Sequence, residues 1–371
     1  MNRLLPWLLA LLLSAAGVCL DGDPDYFQLL HADKLRNVTY GENVVRELIG
    51  NVLVGYGDLE ISCDRARHDI AVGELECRGQ VVVTHRGRVL RANEMTYYEK
   101  ARRLEAYGNV RMTEDSLRAE CVRGIYHRDS EQLEMRREAM LEDLEREVLF
   151  TADRIDYDHL SGIAWSRSQP LLRARHPQQG NIKVVAKYME MRRFQHLEIA
   201  AGDVVIKLRN TEAGCDTFIY CDTSGFGQMK GTPLLVHDGR EIRGEYINLL
   251  VAGEVLRAAE VYGSGSAVVP ADSVDARLLN SLSGDSLLFQ FEQGELRRME
   301  ARGAANSVYF ARDEQGQPGL NLAAGDMIVL EMDSTALKLV EVRGGSQGRY
   351  LPLQEPVAEI RKGYNGEPES D

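Results

Sequence analysis

The chain has 371 residues, 44% hydrophobic and 27% charged, with 57 acidic against 44 basic side chains and a formal net charge of −13. This is the composition of an ordinary folded protein and excludes wholesale disorder, collagen and a polytopic membrane protein. The acidic balance makes the chain a poor counterion for phosphate backbones, so nucleic-acid binding is not expected.

In chain order, the first element reads as an export signal. Residues 1–18 carry a positive start at Arg3, an apolar stretch from Leu4 to Leu13, and the small residues Ser14-Ala15-Ala16-Gly17. The apolar stretch is shorter than the ~20 residues a bilayer-spanning helix needs. Cys19 invites lipoprotein processing, but Val18 stands where such signals place a small residue. The mature chain is therefore expected in an exported, oxidising compartment.

A repeat follows. Gly50-Asn51-Val52, Gly79-Gln80-Val81 and Gly108-Asn109-Val110 recur at 29-residue steps. A second element recurs with them: a small residue, Asp or Asn, then alternating apolar positions, as in Ala92-Asn93-Glu94-Met95-Thr96-Tyr97 and Ala152-Asp153-Arg154-Ile155-Asp156-Tyr157. Ten such heads are expected, at Ala32, Cys63, Ala92, Ala119, Ala152, Ala186, Cys215, Gly244, Gly284 and Gly325. Their spacings are 31, 29, 27, 33, 34, 29, 29, 40 and 41 residues. Period-two alternation predicts half-buried strands, and a copy of about 29 residues holds two of them with their turns. The short acids after the heads (Asp33, Asp64, Asp153, Asp216, Asp285, Asp326) suit chain corners, where they can accept bonds from nearby amides. Met135 to Val148 has helical propensity, but Leu133 keeps the repeat, so strands are expected there too. Pro170 and Pro233, each inside a Gly-x7-Pro-Leu-Leu pattern, mark strand beginnings or edges.

The joined signature resembles the LptA/OstA family of lipopolysaccharide-transport proteins. The resemblance is carried by His31–Val52, by Arg91–Val110 ("RANEMTYYEKARRLEAYGNV"), by Phe150–Asp158, and by Ser283–Gly303 and Val340–Pro352. It implies an all-β fold: an elongated open β-jellyroll, a folded-over antiparallel sheet built here from about ten two-strand repeats. It implies a periplasmic, non-enzymatic protein that shields lipid A acyl chains in a hydrophobic groove. The partners implied are lipopolysaccharide, an inner-membrane extractor complex and an outer-membrane assembly barrel. The expected organisation is a signal peptide over 1–18, jellyroll repeats over 24–262, further continuous repeats over 263–352, and a polar tail over 353–371. The chain is about twice as long as a minimal bridge protein of that family and far too short to carry the barrel.

The physics of the pattern agrees. Strand pairs that are apolar on one face must bury it against each other or against a ligand. A twelve-methylene acyl chain gains roughly 10 kcal/mol in an apolar trough. Parity assigns the lining. From the head strands it takes Met95, Tyr97, Ile155, Tyr157, Met189, Met191, Phe218, Tyr220, Ile247, Leu249, Leu287, Phe289, Ile328 and Leu330. From the return strands it takes Val52, Leu75, Val81, Val83, Leu104, Val110, Met112, Met299 and Val342. For any single one, plain core packing is the commoner role; the functional expectation concerns the set. Terminal strands with free edges suggest head-to-tail self-association.

No active site emerges. The eight histidines match no metal or triad spacing, and His68, in register with Tyr97 and Tyr157, reads as a lining residue. The six cysteines fit no zinc pattern, although Cys63–Cys77 and Cys215–Cys221 are local disulfide candidates. No cofactor or metal is expected. Two other readings stay open: an exported β-helix enzyme acting on polysaccharide, and a closed-core, membrane-tethered scaffold.

Overall fold

The computed structural model describes residues 26–352 apart from 42, 177–179, 210, 238, 253–254, 271–278, 294, 313–317 and 334–335. The export signal, Cys19 and the tail 353–371 lie outside the described residues.

Among the described residues, twenty-six strands form one sheet in which every pairing is antiparallel. They begin with β1 (Gln28–His31), β2 (Lys34–Tyr40), β3 (Asn43–Tyr56), β4 (Leu59–Asp69), β5 (Glu74–His85) and β6 (Arg88–Tyr98). Next come β7 (Arg103–Glu114), β8 (Leu117–His127), β9 (Gln132–Asp143), β10 (Val148–Asp158), β11 (Ile163–Ser166), β12 (Leu171–His176) and β13 (Gly180–Val185). Then follow β14 (Tyr188–Arg192), β15 (Leu197–Leu208), β16 (Thr211–Cys221), β17 (Phe226–Lys230), β18 (Leu234–His237), β19 (Arg240–Arg243) and β20 (Tyr246–Ala252). The last are β21 (Val255–Pro270), β22 (Leu279–Glu292), β23 (Glu295–Arg312), β24 (Pro318–Asp333), β25 (Ala336–Arg343) and β26 (Gln347–Pro352). A 3₁₀ turn spans Arg193–Gln195.

The recurring Gly-Asn and Asp elements are what fold this sheet over. Between β5 and β6 the ladder breaks from Arg78/Glu94 to Val81/Ala92, so Gly79 and Gln80 oppose the single residue Asn93. Two residues against one is a β-bulge, which bends the strand and increases its twist. Both bulged residues have positive φ, +79° and +42°. Gly79 is also constrained by space, because a Cβ there would collide with the Asp64 carboxylate. Equivalent pairs stand at Gly50-Asn51, Gly108-Asn109, Gly202-Asp203, Gly231-Thr232, Gly263-Ser264, Gly303-Ala304 and Gly344-Gly345. Head residues bond across the corner: the Asp33 amide donates to the Gly50 carbonyl at 2.9 Å and the Asp326 amide to the Gly344 carbonyl at 2.8 Å.

Each long strand is thus divided at a corner. One half lies in a first layer (45–49, 65–69, 74–78, 94–98, 103–107 and their successors) and the other half in a second (52–56, 59–63, 81–85, 88–92, 110–114 and theirs). The corners form a spine along one side, and the hairpin turns of both layers lie on the opposite side. Pro170 and Pro233 each stand just before the second-layer half of a divided strand, β12 and β18. The segment with helical propensity is strand. Met135 and Leu141 are fully buried, Arg137 and Glu138 make the corner, and the Glu145 and Arg146 amides donate to the Asp143 carboxylate in the turn before β10.

One head needs correction. The ladder of β8 with β9 breaks between Glu120 and Arg123, so the fourth head is Cys121-Val122 rather than Ala119. The spacings around it then become 29 and 31 (92 to 121 to 152), in line with their neighbours. The longer last intervals come from longer strands, such as the 18-residue β23 and 16-residue β24. Strand β21 runs through residues 262–263, and its ladder with β22 shifts register there, at the Gly263-Ser264 corner.

Candidate functional site: the interior and its seam

The inner faces of both layers meet in one apolar cluster. Of the lining residues expected from parity, Val52, Leu75, Val81, Val83, Met95, Tyr97, Leu104, Val110 and Met112 are buried in it. So are Ile155, Tyr157, Met189, Met191, Ile247, Leu287, Phe289, Ile328 and Leu330. Phe218, Leu249, Met299 and Val342 are half-buried against the same cluster, and Tyr220 is half-buried beside Phe218 with the rings stacked. These half-buried positions all fall from β16 onward. In β3–β15 the interior is filled by side chains, with Val54, Ile61, Met135, Phe150 and Ala164 at 0% exposure.

Sequence reasoning missed much of the second layer: Val54, Ile61, Leu90, Ala92, Leu141 and Phe150 also face inward. The cause is the single head residue. It shifts parity, so inward positions run Leu90, Ala92 before Asn93 and Met95, Tyr97 after it.

The side opposite the spine has a different chemistry. There the turns of the two layers meet through polar groups, many of them buried, of which the sequence singled out His68 alone, as a lining residue. Asp58, in the turn between β3 and β4, accepts from Arg128 of the β8–β9 turn at 2.5 Å. Glu131, 4% exposed, takes both Arg86 and Arg88, the latter at 2.7 Å. Glu114 accepts from Arg88 at 2.7 Å and lies 2.7 Å from His159 Nδ1. Arg193 donates to Ser116 at 2.8 Å and pairs with Asp143 at 3.2 Å. Arg146 reaches Glu198 and, at 2.9 Å, Asp222. Tyr56 donates to Glu99 at 2.7 Å, and the same carboxylate lies 2.8 Å from His68 Nε2. Each of these carboxylates meets at least one group from the other layer.

The seam perturbs its members. Burial pushes the Glu114 carboxyl up, but hydrogen bonds from His159 and Arg88 outweigh it and bring it down to about 2. Asp58 reaches about 2 in the same way, Arg128 and Arg86 outweighing its burial. Burial holds the Tyr56 hydroxyl well above its ordinary value, with its bond to Glu99 adding to it. Burial also lowers His68 and His85, favouring their neutral forms. Histidines far apart in the sequence converge here: His85 Nδ1 lies 3.0 Å from the Tyr126 hydroxyl, and Tyr126 and Tyr157 both pack edge-on to the His159 ring.

From Arg240 onward, ion pairs among the described residues join neighbours on one strand or on adjacent strands. Examples are Arg243–Glu241, Arg302–Glu300, Arg298–Glu331 and Arg343–Glu341. Among the described residues no ion pair there joins one layer to the other.

Cys63, Cys77, Cys121, Cys215 and Cys221 are free thiols, and the Cys63 and Cys77 side chains hydrogen-bond each other. Among the described residues no cluster of acids, histidines and cysteines could hold a metal ion.

Comparison with known proteins bears on these features. Residues 72–169 match the family model of OstA-like proteins. No curated relative matches the chain. Among solved structures, one similar chain is LptH of Pseudomonas aeruginosa, described as the LptA-homologous periplasmic component of the conserved lipopolysaccharide transport device. That alignment has 16% identity, covers 44% of this chain and 98% of the other, and has a TM-score of 0.27. The matched stretch 72–169 contains the corners at Gly79 and Gly108, the turns bearing Arg86, Glu114 and Glu131, and the motif Ala152–Tyr157. Over that stretch the chain is OstA-like, and the LptA/OstA resemblance of its sequence is borne out.

Proposed function

We propose that this chain is a periplasmic protein of the lipopolysaccharide-transport type, which shields the acyl chains of lipid A between its two layers. One observation carries the reading. The inner face is apolar from β3 to β25, and the layers are joined by the chain along the spine but only by side chains along the seam. Such a molecule can admit hydrocarbon by parting the seam, leaving every ladder hydrogen bond in place. In this reading the protein binds and passes lipid without chemistry, between an inner-membrane extractor and an outer-membrane barrel. Exposed apolar side chains at both ends of the sheet support head-to-tail association. Leu30 and Leu35 stand at one end (50% exposed each), and Leu339 and Tyr350 (43% and 47%) at the other.

The packed interior of β3–β15 favours a second reading, a closed-core scaffold in the same compartment. A photo-crosslinking amino acid at Met95 or Tyr157, with mass spectrometry of the captured molecule, separates the two. Acylated glycolipid on the crosslinker is the expected result. Crosslinks confined to the protein's own chain would leave the scaffold reading standing.

A further inference from the structure

Among the described residues, the last three repeats carry a feature that the others lack. Each has an irregularity near the turn end of its first-layer hairpin, and the residue left out of the ladder is a cation. Arg257 lies between the pairs Ala258–Leu250 and Leu256–Val251. Arg297 lies between Arg298–Gln290 and Leu296–Phe291. Lys338 lies between Leu339–Glu331 and Leu337–Met332. The three are 40 and 41 residues apart (257, 297, 338), which are the spacings of the last heads. The corresponding position, thirteen residues past the head, is Glu76 in the second repeat and Glu105 in the third. A bulged residue leaves the inner–outer alternation of its strand. One strand lies between each cation and the next, so two inter-strand spacings put them about 10 Å apart along the sheet.

These cations line an open cleft of about 530 Å³ together with Arg298, Phe291 and Met332. Its charge runs against the chain's −13: four cations face two carboxylates, Glu292 and Glu331. Arg297 pairs with Glu295 at 2.9 Å, and Arg298 with Glu300 at 3.1 Å and Glu331 at 3.6 Å. Arg257 and Lys338 are exposed and have no ion-pair partner among the described residues. Phe291 also packs against the interior cluster, so the cleft connects the cations to the apolar inner face. This is the part of the molecule where cross-layer ion pairs are missing among the described residues and where Met299 and Val342 are half-exposed.

We infer that this cleft binds the phosphate of a phosphorylated, acylated glycolipid, with the hydrocarbon directed over Phe291 toward the interior. The inference rests on the transport reading and deepens it by locating the head group. Guanidinium groups suit phosphate because they bond it in bidentate, charge-assisted fashion. Apolar burial alone would hold the chains but not the orientation of the lipid.

The test uses the full mature chain and two probes: a hexa-acylated glucosamine disaccharide carrying two phosphates, and the same glycolipid without phosphate. The variant is the triple R257Q/R297Q/K338Q, with its far-ultraviolet circular dichroism and melting compared with the parent. The expected result is a loss of at least about tenfold in affinity for the phosphorylated probe, with the phosphate-free probe bound as before. The inference is overturned if the triple variant binds both probes like the parent, or loses both equally. If the parent binds neither probe, the transport reading itself fails, a result distinct from the first two. Tight binding of poly-glutamate that the glycolipid does not displace would assign the cleft to an acidic protein and overturn the inference as well.

Discussion

Glu114 gives the seam a measurable energy. Its side chain is 18% exposed and is held by Arg88, itself 12% exposed, and by His159, fully buried. In the folded chain its carboxyl titrates at about 2 against an ordinary value of 4.5. At about 1.36 kcal/mol for each pH unit, that difference corresponds to about 3 kcal/mol of folding stability. The sign follows from proton uptake. A depressed carboxyl favours the folded state fully above pH 4.5, and the contribution disappears as pH falls toward 2. Glu114→Gln removes the charge while keeping the shape. Urea unfolding of parent and variant at a series of pH values should show a gap of about 3 kcal/mol at pH 7. The gap should narrow steadily below pH 4.5 as the parent loses its advantage. A gap of equal size at pH 7 and pH 3 would refute the electrostatic account and assign the effect to packing.

Other expectations follow from the corners and ends. Arg137 occupies the corner place of the repeated glycine with φ +58°, so Arg137→Gly should stabilise the chain by about 0.5–1 kcal/mol in thermal or urea unfolding; a loss of stability would contradict the strain assigned to it. Gly79→Ala should cost about 2 kcal/mol, since both its φ of +79° and the nearby Asp64 carboxylate oppose a Cβ; unchanged unfolding would show that the corner has slack. Leu30→Lys with Leu35→Lys should abolish end-to-end association in sedimentation velocity while leaving the monomer's melting unchanged. Retained oligomers would place the contact elsewhere.

The repeat was legible because a corner makes the same local demand each time: a residue at positive φ, and a short acceptor across from it. The fourth head was misplaced for the same reason. Val122 and Arg137 replace the usual acid and glycine, so only the ladder break reveals the corner. The interior was half legible, because parity read from one side of a head reverses on the other, and Ile61 and Phe150 were lost. The seam was not legible at all. Arg128 and Asp58 are 70 residues apart, and Arg193 and Ser116 are 77 apart. Their pairing depends on how the two layers stack, which no short spacing encodes. The bulged cations were hidden too, since a residue left out of a ladder has no signature until its neighbours are paired.

Placing every corner along one margin makes the molecule behave like a spring clip. Forces that separate the free margins act on a hinge distributed over many bulges, so the strain in each is small. Separation at one repeat does not oblige a distant repeat to follow, because each strand pairs only with its immediate neighbours. A displacement can therefore travel along the clip as a local swelling, with the margin closing again behind it.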